Sequence, residues 1–144
     1  MDKMNLLSRV VFSPLRKIPN PKGDVWHALK TTDVGFAGFG EAYFTTVLGG
    51  TTKGWKRHGR MTMNLLVVAG RVTFHFWDEF SNQGKSISLG ETIYGRLTVP
   101  PEIWMAFTGA GSELNLILNI ASIPHDPEEA VNVPIETFPI EAIK

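Results

Sequence analysis

The chain has 144 residues, is 43% hydrophobic, and carries fourteen basic and fourteen acidic residues. This fits a single packed domain spanning residues 1–144, and a net charge of zero provides no field to attract a nucleic acid polymer or an acidic membrane. The absence of cysteine excludes disulfides and thiolate chemistry and suits a cytoplasmic location.

The predicted secondary structure consists of short strands separated by turns. Nine prolines and fourteen glycines divide the chain into segments rich in Val, Phe, Tyr, Thr and Ile, which favour strands over helices. In chain order, the predicted strands cover residues 40–48, 61–69, 71–78, 95–99, 103–108 and 114–120. Hairpin loops are predicted at 81–85 and 109–112, and a short helical turn at 126–131. Many strands and almost no helix favour a closed barrel or jelly roll.

The N-terminal region predicts an extended arm rather than a targeting segment. Its first residues are too polar for a signal peptide, and no apolar run in the chain approaches the ~20 residues of a membrane helix. We therefore expect a soluble protein without a membrane partner. Residues 16–30 contain two prolines and the strand-like sequence VWHALK. This arm either crosses a homodimer interface or covers the edge of its own sheet.

Residues 50–70 have the spacing of a known barrel motif. The positions that matter in GTTKGWKRHGRMTMNLLVVAG are Gly50, Lys56, His58, Met63 and Gly70. This frame resembles the first motif of the cupin family, in which positions 56, 58 and 63 would be the metal ligands His, His and Glu. The frame that begins at residue 100 resembles the second cupin motif, with a methionine at position 105 in place of the ligand histidine. The sequence therefore predicts an all-β, cupin-type jelly-roll barrel without a bound metal.

Four segments resemble one branch of the cupins, the dTDP-4-dehydrorhamnose 3,5-epimerases and dTDP-4-keto-6-deoxyhexose ketoisomerases. They are PKGD at 21–24, KGWKRH at 53–58, LLVVAGRV at 65–72 and YGRLTVPPEIWMAF at 94–107. The resemblance implies a cofactor-free epimerase or isomerase of a nucleotide-linked 4-keto-deoxysugar. It further implies a role in O-antigen or lipopolysaccharide biosynthesis. Because a short barrel with an extended arm leaves strand edges that a second subunit can cover, we also expect a homodimer. The alternative is a sugar-nucleotide or carbohydrate binding protein that has lost the catalytic residues.

Two residues of the first motif are the predicted catalytic groups. Lys56 and His58 share one face of a strand because side chains alternate, and cupin precedent turns that face into the barrel. Epimerisation or isomerisation beside a ketone needs a base for a carbon-bound proton and a donor for the enolate. His58 suits the base, and Lys56 suits enolate stabilisation or, with a lowered pKa, the base.

Further residues are predicted to bind substrate. Cationic side chains could hold a diphosphate, whereas aromatic, amide and acidic groups could contact the sugar or the base. Each of them also has an ordinary interpretation as a solvated surface residue or a core residue. The predicted set is Arg96, Arg60, Lys53, Tyr94, Glu41, Tyr43, Asn119 and His125.

Overall fold

The fold, described for residues 5–143 by a computed structural model, is almost entirely strand. Residues 1–4 and 144, which the predicted domain also includes, lie outside the described part. The strands are β1 (Val11–Pro14), β2 (Lys17–Ile18), β3 (Val25–Trp26), β4 (Glu41–Leu48), β5 (Thr52–His58), β6 (Met63–Ala69), β7 (Arg71–Asp78), β8 (Gln83–Gly90), β9 (Gly95–Val99), β10 (Trp104–Gly109), β11 (Leu114–Ala121) and β12 (Ala130–Asn132). Short 3₁₀ turns cover Leu6–Arg9, Pro127–Glu129, Ile135–Thr137 and Ile140–Ala142.

Two five-stranded antiparallel sheets enclose the core. The first sheet has the strand order β1-β9-β6-β11-β4 and the second has the order β12-β5-β10-β7-β8, while β2 and β3 form a separate hairpin. Alternation directs one face of each strand inward. On β11, for example, Asn115, Ile117 and Asn119 are buried, whereas Leu114 on the other face is exposed. The all-β prediction is confirmed.

The six predicted strands all form, with small shifts at their ends. The prediction missed β1, β8 and β12. The sequence of β8, QGKSISLG, is polar and only partly buried, so it lacks the apolar alternation of the other strands. The predicted loop at 81–85 is wrong in extent, since the strand already begins at Gln83. Asp78 tightens this hairpin by accepting hydrogen bonds from the backbone amides of Phe80 and Ser81. The predicted turn at 126–131 is confirmed only for Pro127–Glu129, which the Asp126 side chain caps, since residues 130 and 131 belong to β12.

The N-terminal region adds an edge strand to the first sheet and then a separate hairpin. Strand β1 pairs with β9 in the same chain. The β2–β3 hairpin follows, and its Trp26 ring lies 5.1 Å from the Tyr94 ring, while the Lys17 ammonium lies 4.1 Å from the centre of the indole. Within residues 5–143, no helix is long and apolar enough to cross a membrane.

The C-terminal segment is anchored by a cluster of aromatic rings. The Phe138 ring lies 5.4 Å from Trp55, 5.7 Å from Trp77 and 5.4 Å from Trp104, measured between ring centres. The Trp55 indole also donates a hydrogen bond of 3.0 Å to the carbonyl of Ile135. Since these tryptophans belong to three strands of the second sheet, the aromatic contacts hold the end of the chain against that sheet.

We expect Phe138→Ala to destabilise the protein by about 3 kcal/mol, because it removes a ring packed against three tryptophans and leaves a cavity. Urea unfolding followed by tryptophan fluorescence measures this change. Phe80→Ala is the matched control, since Phe80 is 74% exposed and its loss should change stability by no more than about 0.5 kcal/mol. Equal effects of the two substitutions would show that the cluster does not anchor the segment.

Candidate functional site

A cavity of about 390 Å³ lies between the two sheets. Strands β4, β6 and β11 supply one wall, and β5, β7, β10 and β12 supply the other. Its volume falls in the range of small-molecule binding sites. Much of the lining is apolar, and Met63 and Met105, the residues in two of the motif's ligand positions, both lie on it.

The cavity contains a histidine held by a buried carboxylate. His58 lies at the end of β5, and its Nδ1 is hydrogen-bonded to Oε1 of Glu129. The second carboxylate oxygen accepts hydrogen bonds from the backbone amides of Arg60 at 3.0 Å and Met61 at 3.2 Å. Both oxygens of Glu129 are therefore satisfied, as a buried carboxylate requires.

Strand pairing brings these two residues together. β12 pairs antiparallel with β5, so that Ala130 lies opposite His58 and Asn132 lies opposite Lys56. The amide of Gly59 also donates to the carbonyl of Glu129 at 2.7 Å. The contact joins residues 71 positions apart in the chain, so only the tertiary structure reveals it.

The ionisation of Glu129 decides which ring nitrogen carries the proton of a neutral His58. Burial alone raises the pKa of Glu129, but hydrogen bonds from His58, Arg60 and Met61 outweigh it and hold the pKa below its ordinary value of 4.5. Near neutral pH Glu129 is therefore an anion that can only accept, so the proton of a neutral His58 sits on Nδ1. The other ring nitrogen, Nε2, is then unprotonated and can accept a proton.

Four more of the predicted site residues line the cavity. Lys56 and Lys53 are exposed residues on β5, and Lys53 Nζ donates to the carbonyl of Thr46 at 3.2 Å. Tyr43 and Asn119 face them from the first sheet, joined by a 2.9 Å hydrogen bond from Asn119 Nδ2 to the tyrosine oxygen. The structure thus brings His58, Lys56, Lys53, Tyr43 and Asn119 to one cavity.

Arg96 does not reach the cavity, which corrects its predicted role. It is only 1% exposed and lies on the outer face of the first sheet, where its guanidinium donates to Asn64 Oδ1 at 3.1 Å. The same group donates to the carbonyls of Ala28 at 2.7 Å and Val34 at 3.0 Å. A buried guanidinium needs such acceptors, so Arg96 fixes the segment around residues 28–34 against the sheet.

Tyr94 is also part of this outer structure. Its hydroxyl donates to the carbonyl of His27 at 2.8 Å, and burial raises the pKa of the phenol. Tyr94 lies outside the cavity lining, so its predicted contact with substrate is wrong.

Arg60, Glu41 and His125 do not line the cavity: Arg60 lies in the loop after β5, Glu41 at the start of β4 and His125 in the loop after β11. Arg60 lies beyond the end of β5, so it leaves the face that Lys56 and His58 share, and it forms a surface ion pair of 2.9 Å with Asp126. Glu41 accepts a hydrogen bond from the backbone amide of His125, and His125 is an exposed residue. The structure therefore does not bring these three predicted residues to the cavity, and Arg60 and Glu41 instead contact the loop that leads to Glu129.

Sequence reasoning missed Glu129 and Asn132. It assigned residues 126–131 to a helical turn, whereas the chain after Glu129 enters the short strand β12. The useful signal was chemical, since a buried histidine on a barrel wall calls for an acceptor. The sequence offered several acidic residues for that role, and nothing in their spacing singled out Glu129.

No group of three or more His, Cys, Asp or Glu side chains that could hold a metal ion occurs within residues 5–143. The positions that match the cupin metal motif instead hold Lys56, His58, Met63 and Met105, and all four line the cavity. Ammonium and thioether groups do not form the donor set of a catalytic zinc or non-haem iron site.

Known structures share this architecture. A dTDP sugar isomerase from Desulfovibrio desulfuricans G20 is 33% identical, with a TM-score of 0.84 over 89% of this chain and 85% of that chain. The sugar 3,4-ketoisomerase QdtA from Thermoanaerobacterium thermosaccharolyticum, solved with TDP, is 20% identical, with a TM-score of 0.76 over 87% of this chain and 88% of that one. The 3,5-epimerase RmlC from Legionella pneumophila Philadelphia 1 is 11% identical, with a TM-score of 0.77 over 93% of this chain and 76% of that one. A scan against protein-family models and a search of the curated proteins gave no match.

The two packed sheets and their enclosed cavity are a cupin-type jelly-roll barrel, which confirms the predicted fold. Identity to the Desulfovibrio enzyme extends over most of both chains. The chain belongs to the dTDP-sugar isomerases, within the cupin branch that includes the keto-sugar epimerases. This confirms both the resemblance drawn from the sequence motifs and the prediction of an enzyme.

The lowered pKa of Glu129 predicts an acid-sensitive contribution to stability. The ionised group stabilises the fold above its ordinary pKa of 4.5, and this contribution is lost as pH falls through the lower folded-state value. We expect Glu129→Gln to flatten the fall in urea midpoint between about pH 5 and about pH 3. Glu128→Gln changes the exposed neighbouring carboxylate and should follow the original protein. An unchanged slope in Glu129→Gln would contradict the assignment.

Proposed function

We propose that this protein isomerises or epimerises a nucleotide-linked 4-keto-6-deoxysugar. The observation that carries the proposal is the pairing of His58 with Glu129 in a cavity, within a chain 33% identical to a dTDP sugar isomerase. A TDP-4-keto-6-deoxyglucose complex is known for the QdtA ketoisomerase, which shares the fold. The nucleotide-sugar substrate class follows from these two likenesses.

The proposed chemistry begins with removal of a proton from a carbon next to the ketone. The carbonyl acidifies this proton, and Nε2 of His58 accepts it while Glu129 stabilises the imidazolium that forms. Return of a proton to the same carbon on the opposite face inverts the centre. Return to the former carbonyl carbon, with transfer of the adjacent hydroxyl's proton to the former carbonyl oxygen, moves the ketone. Either reaction is balanced without a redox partner, so we propose that the enzyme needs no organic cofactor or metal.

The charge of the cavity suits an anionic substrate and an anionic intermediate. Lys53 and Lys56 lie on its wall, and none of the lining residues is a carboxylate, since Glu129 stands behind His58. We assign Lys56, which is adjacent on the same face, to the enolate oxygen and Lys53 to the diphosphate. Tyr43 and Asn119 are assigned to the sugar.

The apolar part of the cavity supports a deoxysugar. Leu65, Phe74, Met105 and Ile117 lie on the lining together with Phe107. These side chains offer contact to a methyl group at the sugar's sixth carbon but no partner for a hydroxyl there, which would be left without a hydrogen bond.

Substitution of the base tests the proposal. His58→Asn should lower turnover of a TDP-4-keto-6-deoxyhexose at least roughly 10²-fold, because a positioned base contributes that much or more. Deuterium from the solvent should enter the sugar next to the ketone with the original protein, measured by NMR. His125→Asn, which changes an exposed histidine outside the cavity, is the control and should leave exchange unchanged.

The alternative drawn from the sequence, a binding protein without catalysis, makes the opposite forecast. Keto-sugar nucleotides would bind, but no deuterium would enter at any protein concentration. Exchange that persists in a His58→Asn, Lys56→Ala double variant would show instead that the base lies elsewhere in the cavity.

We also propose that the protein is a homodimer. The outward face of β4 and β11 is apolar and uncharged, with Phe44 and Leu48 each 62% exposed and Leu114 53% exposed. Contiguous apolar faces of this kind commonly mark protein interfaces, and a two-fold dimer buries the same face of both copies. The exposed arm residue Val25 offers a second contact surface.

Sedimentation equilibrium should therefore give twice the 16.0 kDa mass of one chain at micromolar concentration. Phe44→Glu should shift the protein towards the monomer, because it would place an unpaired charge in the interface. Phe80→Glu changes an exposed ring on a separate hairpin and should leave the mass unchanged. A monomeric original protein would remove the proposal.

We further propose a cytoplasmic location and a role in the biosynthesis of surface polysaccharide, as O-antigen or lipopolysaccharide. The resemblance to deoxysugar-nucleotide enzymes supports the role, and the absence of cysteine supports a reducing compartment.

A further inference from the structure

Three asparagines are buried in the barrel, and they differ in how their amides are used. Asn64 Oδ1 accepts from Arg96 and Thr98, and its Nδ2 donates to the carbonyl of Gly35. Asn115 Oδ1 accepts from the backbone amides of Arg71 at 2.8 Å and Gly111 at 3.1 Å, and its Nδ2 donates to backbone carbonyls. Both amides are therefore fully engaged in holding the fold.

Asn119 is the exception among these three. It is 2% exposed and lies on the cavity lining, and its Nδ2 donates to Tyr43, but its Oδ1 is buried without a hydrogen-bond partner among residues 5–143. Leaving a buried acceptor unpaired is unfavourable. Because the residue Asn119 lines the cavity, a ligand bound there is the group that could supply the missing donor.

Tyr43, the hydrogen-bond partner of Asn119, adds a donor beside the unpaired acceptor. The oxygen of Tyr43 accepts from Asn119 at 2.9 Å, and the two residues lie opposite each other on β4 and β11. With its oxygen so engaged, the Tyr43 hydroxyl hydrogen points away from Asn119 and can be donated to a ligand. Tyr43 and Asn119 thus present one donor and one acceptor side by side on the cavity wall.

The complement of a neighbouring donor and acceptor is a ligand that carries an acceptor next to a donor. A ketone beside a hydroxyl has this arrangement. We infer that Asn119 is a specificity-determining residue that accepts a hydrogen bond from the hydroxyl adjacent to the reacting ketone, while the Tyr43 hydroxyl donates to the ketone. The inference rests on the proposed function, which supplies the keto-sugar.

This arrangement makes the site selective for the hydroxyl. A ligand that lacks the hydroxyl leaves Asn119 Oδ1 unpaired, so binding does not recover the cost of that buried acceptor. Sites built to hydrogen-bond a substrate hydroxyl reject analogues without it far more strongly than apolar pockets reject an added group. Asn119 therefore makes the site bind 3-hydroxy 4-ketosugars in preference to 3-deoxy 4-ketosugars.

Calorimetry in a His58→Asn background tests the inference without turnover of the ligands. The two probes are TDP-4-keto-6-deoxyglucose and its 3-deoxy analogue. We expect the 3-hydroxy ligand to bind about tenfold or more tightly, and this ratio to fall towards one when Asn119→Leu is added. Asn20→Leu, on the exposed N-terminal arm, is the matched control and should keep the ratio.

Tyr43→Phe provides a second variant if Asn119→Leu fails to fold. It should keep the preference for the 3-hydroxy ligand but weaken the preference for the 4-ketone over the corresponding 4-hydroxyl sugar nucleotide. A 3-hydroxy preference that survives in Asn119→Leu, or is absent from the parent, would overturn the inference while leaving the proposed function intact. Failure of every keto-sugar nucleotide to bind would overturn both.

Discussion

The site depends on one contact between distant parts of the chain, the pairing of β12 with β5. This pairing places Glu129 behind His58 and buries its carboxylate among three donors. Removing a carboxylate from water is unfavourable, and the hydrogen bonds from His58, Arg60 and Met61 offset that cost. The result is a fixed imidazole whose neutral form carries its proton on Nδ1 and leaves Nε2 able to accept one.

The hydrogen-bond partners of the buried polar groups distinguish the residues that hold the barrel together from those that can bind a ligand. Arg96 and Asn115 are buried and carry groups that could bind a ligand. The guanidinium of Arg96 and the amide of Asn115 are instead hydrogen-bonded to the protein itself. Asn119 is equally buried but keeps an unpaired oxygen, and His58 keeps one ring nitrogen outside its pair with Glu129. Residue type alone does not distinguish these cases, because a buried polar group is satisfied either by the fold or by a ligand.

The aromatic cluster joins the stability of the barrel to the geometry of the site. Trp55 precedes Lys56 on β5, and its backbone exchanges hydrogen bonds of 3.3 Å and 3.2 Å with Val133, just after β12. Phe138 then packs the following segment against Trp55 and two further tryptophans. The segment that begins at Glu129 is therefore held at both ends, one at the histidine and the other at the rings. Such double attachment limits the movement of the carboxylate behind His58.

The sequence by itself determined the all-β barrel, and it predicted His58, Lys56 and Asn119 as site residues, which the structure places on the lining of one cavity. Period-two alternation and motif spacing are local properties, so they can be recognised in the sequence without knowing which strands are neighbours. Only the tertiary structure showed that Arg96 and Tyr94 lie on the outside of the first sheet. An alternating sequence pattern does not reveal which face of a strand is turned towards the core when both faces carry polar and aromatic residues. The tertiary structure alone also decided that the carboxylate beside His58 is that of Glu129. That choice rests on a strand pairing across 71 residues, and long-range pairing has no signature in local sequence.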